Sequence, residues 1–261
     1  MYKLSIVTVV LNKKDEFHET IRNIISQTYQ NIEIIVIDGG STDGTLDIIQ
    51  QYKNKITYWH SEKDKGIYYA MNKGIEVASG DWINFMNAGD LYINNEVLSK
   101  VFYDKNYDDS RLLIGDSLIE YDGFKRNYKN GDISSIWKGA QFIHQSCFIQ
   151  TRYQKHNQYN VNNRISADFE FFYKAIKINK IKTFNLNHLI SVFRAGGISD
   201  NKRVEALFSN FRLVFNNSKL DFKVIFFYIY KILIESCKIF IKKGLSRNII
   251  TNIQKFIYGK N

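Results

Sequence analysis

Two acidic, glycine-containing segments each follow an apolar run: Asp38-Gly39-Gly40-Ser41-Thr42-Asp43-Gly44-Thr45 and Asn87-Ala88-Gly89-Asp90. Carboxylates at such places can hold a ribose, a base or a divalent cation, and an open α/β sheet binds its ligand just outside its strand ends. Gly39 and Gly40 allow positive φ and close approach of the backbone to a ligand. Asp43, one residue before Gly44-Thr45, reads as the cap of the next helix. Between the two loops, Asp64 and Gly66 precede a helix carrying Asn72 and Lys73, and a helix start is suited to a phosphate or ribose.

The elements that must position these loops alternate between strand and helix, the pattern of a mostly parallel sheet. Leu4–Leu11, Ile32–Asp38, Ile56–His60 and Trp82–Met86 read as strands, with helices over Asp15–Gln27, Thr45–Tyr52 and Ile67–Ser79. The second half is less regular. Strands are expected at Leu112–Gly115, Ser117–Tyr121, His144–Ile149, Lys182–Phe184 and Leu189–Phe193, with loop between Asp122 and Ala140. Helices follow over Ala167–Ile178 and Val204–Phe215, the latter preceded by a turn at Arg194–Ser199.

A length of 261 residues with 44% hydrophobic content supports one domain and an appendage. We divide it into a domain over residues 1–218, with its ligand-binding part at 1–90, and a tail over 219–261. Two distant cysteines, Cys147 and Cys237, make no disulfide framework or metal-ligand spacing, so a reducing cytoplasmic setting is the default. The apolar run at Met1–Leu11 reads as a buried strand, too short for a signal peptide.

Nine Lys/Arg and two acids lie between Lys219 and Asn261, giving that segment +7 of the chain's +10. Lys231, Glu235, Lys238 and Lys242 share one helical face, and the rest of Val224–Ile241 is apolar. Central charges at ~2.5–3.5 kcal/mol each argue against a spanning helix. A second helix, with Ile249, Ile250, Ile253, Phe256 and Ile257 on one side, is expected after Gly244. Apolar width with basic bias fits an anionic membrane surface and not nucleic acid. Packing on the domain, or on a second subunit in a homodimer, is the alternative.

The order of motifs resembles the family 2 glycosyltransferases of GT-A fold. They are Ser5-Ile6-Val7-Thr8-Val9-Val10-Leu11-Asn12, Ile37–Thr45, Ser61–Gly74 with its Gly66-Ile67-Tyr68-Tyr69-Ala70-Met71-Asn72-Lys73-Gly74, and Phe85–Asp90. The nearest likeness is to the subgroup that builds bacterial surface polysaccharides such as colanic acid, O-antigen and capsule. The resemblance implies a Rossmann-like α/β domain with a nucleotide-sugar donor, and a helical tail beside it.

By that resemblance Asp38 accepts the uracil N–H. Thr8, Asn12, Gly40, Asp64, Lys73, Asn87, Ala88 and Gly89 then surround the nucleotide. Asp90 stands where the family's D-x-D motif ends and would bind Mn²⁺ or Mg²⁺, which neutralises the leaving diphosphate. Asn87 departs from the first acid of that motif, leaving Asp90 to anchor the ion with water and phosphate oxygens. Asp168 aligns with the base that takes the acceptor hydroxyl's proton. Glu170 is the other candidate base, and both residues would also suit the first turn of a helix. His144 and Gln145 fall in an acceptor-side segment, and Arg194 begins a loop that closes over phosphates.

These implications describe an inverting, metal-dependent transferase using a UDP-sugar and a lipid-linked, undecaprenyl-diphosphate-type glycan acceptor. Its place would be peripheral, at the cytoplasmic face of the inner membrane. A sugar nucleotidyltransferase would carry a glycine-rich phosphate loop where Asn12-Lys13-Lys14-Asp15 stands. A non-catalytic scaffold of the same fold is favoured by Asn87 and opposed by the Asp38, Asp90 and Asp168 set.

Overall fold

Near-continuous apolar strands make the first half of the chain a parallel sheet. The computed structural model describes residues 1–121, 124–194, 202–218 and 221–244. Strands β1 (Leu4–Val10), β2 (Ile32–Asp38), β3 (Tyr58–Ser61) and β4 (Trp82–Phe85) pair in parallel in the order β3-β2-β1-β4. Every residue of β1 and β4 is buried, as expected for strands covered on both faces. Helices α1 (Lys14–Ile25) and α2 (Thr45–Gln51) cover one face, and α3 (Ile67–Val77) covers the other. A side-chain carbon at Gly74 would stand 2.4 Å from Val7 Cγ1, so this glycine sets how closely α3 lies on β1.

Beyond β4 the sheet becomes mixed. It adds β5 (Leu91–Tyr92), β6 (Leu112–Tyr121), β7 (Phe124–Tyr128), β8 (Cys147–Gln150) and β9 (Thr183–Arg194), and the nine-stranded order continues β4-β8-β6-β9-β5 with β7 on β6. Among the described residues four strand pairings are parallel and four antiparallel. Helix α4 (Val97–Phe102) joins the α1 face, while α5 (Thr151–His156) follows β8. On the α3 face lie α6 (Ala167–Tyr173), prolonged by a wider π turn at Lys174–Ile178, with α7 (Arg203–Asn217) and α8 (Phe222–Gly244).

The structure corrects several expected boundaries in this half. Leu112–Gly115 and Ser117–Tyr121 are one strand, irregular at Gly115 and Asp116 where its register to β9 shifts. The two short strands expected at Lys182–Phe184 and Leu189–Phe193 are likewise one, because the strand runs on through residues 185–188, where its register to β6 shifts. His144–Ser146 is a 3₁₀ turn, so β8 starts only at Cys147. The expected loop 122–140 contains β7 and a 3₁₀ turn, Ile133–Lys138, capped by Asp132. The third strand begins at Tyr58, not Ile56, and α3 ends at Val77.

In the tail, α8 packs on α7 and on the Ile133–Lys138 turn, burying Val224 and Tyr228. Tyr228 donates to the Trp137 carbonyl at 2.8 Å. Within the charged stripe Glu235 turns toward the domain, pairing with Arg203 at 3.6 Å and with Lys238 at 2.8 Å, while Lys231 and Lys238 stay exposed. Its opposite face exposes Phe222, Phe226, Ile229, Tyr230 and Leu233. Among the described residues no helix is long and apolar enough to cross a membrane. The turn expected beyond Arg194 and the second tail helix lie outside the described residues.

Candidate active site

The parallel strands deliver their C-terminal ends to one rim. Asp38 ends β2 fully buried, and its Oδ2 accepts from Gly40 N at 3.1 Å, Ser41 N at 3.0 Å and Ser61 Oγ at 2.6 Å. Its Oδ1 is buried with no hydrogen-bond partner. Burying an acceptor oxygen with no donor is costly, so Asp38 keeps an unmet acceptor at the end of β2. Gly40 has φ 87°, and a side-chain carbon there would press on the Lys63 backbone at 3.2 Å. Glycine alone fits that turn.

Neighbouring residues fix the loop. Asn12, at φ 49°, accepts from Thr42 N at 2.8 Å through its side chain, while its backbone N–H donates to Ser41 Oγ at 2.8 Å. Its amide oxygen is therefore already engaged by the loop. Asp43 accepts from Thr45 N and Lys14 N, the capping role expected of it, and the Thr45 hydroxyl chiefly holds its carboxyl below the ordinary range. Thr8, on the same sheet face as Asp38, keeps a buried hydroxyl oxygen without a partner.

Asp64 and Lys73 meet each other. The Lys73 ammonium pairs with Asp64 Oδ1 and with Glu62 at 2.5 Å, and Asp64 Oδ2 stays buried and unpartnered. Burial would lower the Lys73 pKa, but the bonds to Asp64 and Glu62 raise it. Lys73 thus reaches the site with its charge already balanced.

The second loop leaves β4 and is clamped from α1. Thr20, buried, accepts from Gly89 N at 3.0 Å and donates to the Asp90 carbonyl at 3.0 Å. Gly89 has φ 102°, and Ala88 N donates to Val9 O at 3.2 Å. Asp90 is 7% exposed; its Oδ2 accepts from Gln145 Nε2 at 2.8 Å. Burial pushes its carboxyl up to about 7, against the opposing pull of Gln145, Lys13 and Arg194. Asn87 Oδ1 is buried and unpartnered beside it. A buried carboxyl that forms no ion pair among the described residues and an orphaned amide oxygen fit a hard cation. Among the described residues no group of three or more His, Cys, Asp or Glu could hold a metal, so the protein would supply few of its ligands.

Gln145 was expected on the acceptor side, yet it is the hydrogen-bond partner of Asp90. Asn84 explains why: its amide donates to the carbonyls of Gln145 (3.0 Å) and Cys147 (2.8 Å) and accepts from the Tyr92 hydroxyl (2.7 Å). His144, one residue back, packs among Phe85, Tyr159 and Phe172, and its Nε2 meets the Tyr159 hydroxyl at 2.9 Å. Burial lowers its pKa to about 4 despite Asp168 nearby, so the ring is neutral at physiological pH.

Asp168 and Glu170 have opposite surroundings on one short helix. Glu170 is held by Asn160, Asn163 and Lys174 at 2.7–3.1 Å. Burial opposes its ionisation, and those bonds more than offset it. Asp168 is partly exposed and accepts from the Tyr68 hydroxyl at 2.9 Å. Arg194 ends β9 against two carboxylates, Glu19 at 2.8 Å and Glu120 at 3.3 Å. Sequence reading missed Thr20, Asn84 and Tyr68, whose polar atoms inside apolar runs were the available signal.

A parallel α/β sheet with acidic loops at the ends of the two strands that flank β1, carried on into a mixed sheet with a carboxylate helix, is the architecture of GT-A glycosyltransferases. Residues 5–196 match Glycosyl transferase family 2, and the chain belongs to that family as a glycosyltransferase. It is 26% identical over 205 residues to a PGL/p-HBAD biosynthesis glycosyltransferase of Mycobacterium bovis, covering 75% of this chain and 78% of the relative. The fold resembles S. aureus TarS (TM-score 0.64, 18% identity), covering 84% of this chain and 40% of that one. It also resembles the mannosyltransferase PcManGT of Pyrobaculum calidifontis, solved with GDP-Man and Mn2+ (TM-score 0.64, 14% identity), covering 84% of this chain and 65% of that one.

Proposed function

We propose that the chain transfers a sugar from a UDP-linked donor to a hydroxyl of a lipid-linked glycan, with inversion, in building a bacterial surface polysaccharide. The observation that carries this reading is Asp38 Oδ1, a buried carboxylate oxygen with no protein donor at the end of β2. The uracil N–H supplies the missing donor. A TarS fragment has been solved in complex with UDP-GlcNAc, which supports the choice of a UDP-sugar.

Asp38, Gly40, Thr8 and Asp64 line the nucleoside end in this reading, and Asn87–Asp90 faces the diphosphate. Asp90 and Asn87 would hold Mn²⁺ or Mg²⁺, which neutralises charge on the departing diphosphate. Asp168 takes the acceptor proton as the acceptor oxygen bonds to the anomeric carbon and the bond to the diphosphate breaks. Glu170, with its oxygens already occupied, positions the helix instead. Arg194 must exchange Glu19 and Glu120 for phosphate to serve the donor.

The acceptor's lipid matches the outward face of α8, where Phe226 is 70%, Tyr230 61% and Leu233 59% exposed. This face enters an anionic cytoplasmic leaflet, and the exposed Lys231 and Lys238 add attraction to its headgroups. The protein is then peripheral at the inner membrane.

Calorimetry with UDP, with and without Mn²⁺, tests the donor site on this protein and on Asp90→Ala. Binding that needs both metal and Asp90 is the expected outcome; no UDP binding under any condition overturns the donor assignment. Flotation on vesicles containing anionic phosphatidylglycerol tests the membrane face. Phe226→Glu/Leu233→Glu should release the protein, and undiminished flotation rejects α8 as the membrane contact.

A further inference from the structure

We propose that Tyr68 is a positioning residue for the acceptor-side base: its hydroxyl fixes one oxygen of Asp168 and leaves the other for the acceptor. The inference rests on reading Asp168 as that base. Tyr68 lies in the first turn of α3, two residues after Gly66 and four after Asp64, and is 8% exposed. Its hydroxyl donates to Asp168 Oδ1 at 2.9 Å and lies 3.4 Å from the Ile165 carbonyl. Its ring packs on Tyr159 at 5.6 Å between centroids, which limits where the hydroxyl can swing.

Burial, reinforced by the nearby Asp168 charge, pushes the Tyr68 phenol far above its ordinary range. The phenol therefore stays protonated and remains a donor at any working pH. Among the described residues the Asp168 carboxyl accepts no other hydrogen bond, whereas that of Glu170 two residues on has three side-chain partners. One donor is the number that orients a carboxylate while leaving an oxygen able to accept a proton. In the transfer, the acceptor O–H gives its proton to that free oxygen. Its electron pair forms the bond to the anomeric carbon, and the donor's C–O electrons leave with the nucleoside diphosphate.

The placement also ties the two substrates together. Tyr68 belongs to the helix that follows the donor loop, and Asp168 to a helix from the second half of the chain. Their bond carries the position of the donor-side helix to the base across 100 residues of sequence.

Tyr68→Phe removes the hydroxyl and keeps the ring that packs on Tyr159. Turnover is read as UDP release from a panel of UDP-GlcNAc, UDP-glucose and UDP-galactose, with water or added glycolipid as acceptor. We expect kcat to fall about tenfold with donor KM and UDP affinity unchanged, the signature of a group acting on the reacting step. In an Asp168→Asn background the same change should cost nothing more. Site-specific 3-fluorotyrosine at position 68, which keeps both shape and donor, should retain turnover and covers the case in which Tyr68→Phe folds poorly.

Infrared difference spectra of the free protein against Asp168→Asn isolate the Asp168 carboxylate stretch, which should move in Tyr68→Phe. An unmoved band, a wild-type kcat in Tyr68→Phe, or a full additional loss in the double variant overturns the inference. Turnover surviving in Asp168→Asn, or no turnover of any donor by the unaltered protein, sinks the base reading instead. The infrared band then still decides whether the contact exists.

Discussion

The two ends of the central strands treat their buried acids in opposite ways. At the starting end, Glu33 of β2 is 4% exposed and saturated: it pairs with Lys3 at 2.7 Å and accepts from Ser5, from the backbone and hydroxyl of Ser79, and from Gly80. At the finishing end, Asp38, Asp64 and Asn87 each keep a buried oxygen with no partner, and Asp90 has a single amide. Hydrogen-bonding capacity at the first end is consumed in closing the turn at 79–81 onto β1 and β2. At the other it is left open, which costs stability unless a ligand supplies donors or charge. The difference separates polar groups consumed in holding the fold from polar groups left open.

The largest effect that would sharpen this contrast is at Asp38. Asp38→Asn turns an unpaired acceptor toward a donor-bearing amide, and UDP affinity should fall about 10–100-fold. Calorimetry checks it, and an unchanged Kd would mean that the orphaned oxygen does not meet the base.

Asp90 offers a smaller, graded test. Burial raises its carboxyl to about 7, so below that pH it must lose a proton before holding a cation. Mn²⁺-dependent UDP binding should weaken about tenfold per pH unit below 7 and level off above it. A profile flat between pH 5 and 8 would place the cation elsewhere.

The least effect on ligand is expected at Glu33, with the cost falling on the fold. Its carboxyl is lowered to about 2: burial opposes this, and the bonds from Lys3, Ser5 and Ser79 prevail. A depressed folded value stabilises the protein above the unfolded pKa, near 4.5, and that stability is lost as pH falls toward 2. Glu33→Gln should cost roughly 2 kcal/mol in urea unfolding near pH 7, leaving UDP affinity unchanged. A loss of UDP affinity there would erase the distinction between the two ends.

Much of the donor half was legible because local signals agreed with the fold. Near-continuous apolar runs marked β1, β2 and β4, and the glycines at 40 and 89 marked turns that require positive φ. The second half was harder for a physical reason. β6 and β9 run through irregularities at Gly115–Asp116 and at residues 185–188, which look like breaks when read along the chain. The bond from Gln145 to Asp90 was not legible because the Gln145 backbone is anchored by Asn84, on a strand about 60 residues earlier.

Sequence by itself determined the alternation of strand and helix, the two acidic loops and the basic apolar tail. These follow from periodicity, turn chemistry and composition, which are properties of neighbours along the chain. Tertiary structure decided which acids are spent and which are open. It saturated Glu33 and Glu170, orphaned one oxygen of Asp38, set Tyr68 on Asp168, and turned Glu235 of α8 toward the domain. Hydrogen bonding and burial depend on groups brought together from distant segments, and no spacing along the chain encodes which of two like carboxylates will find its partners.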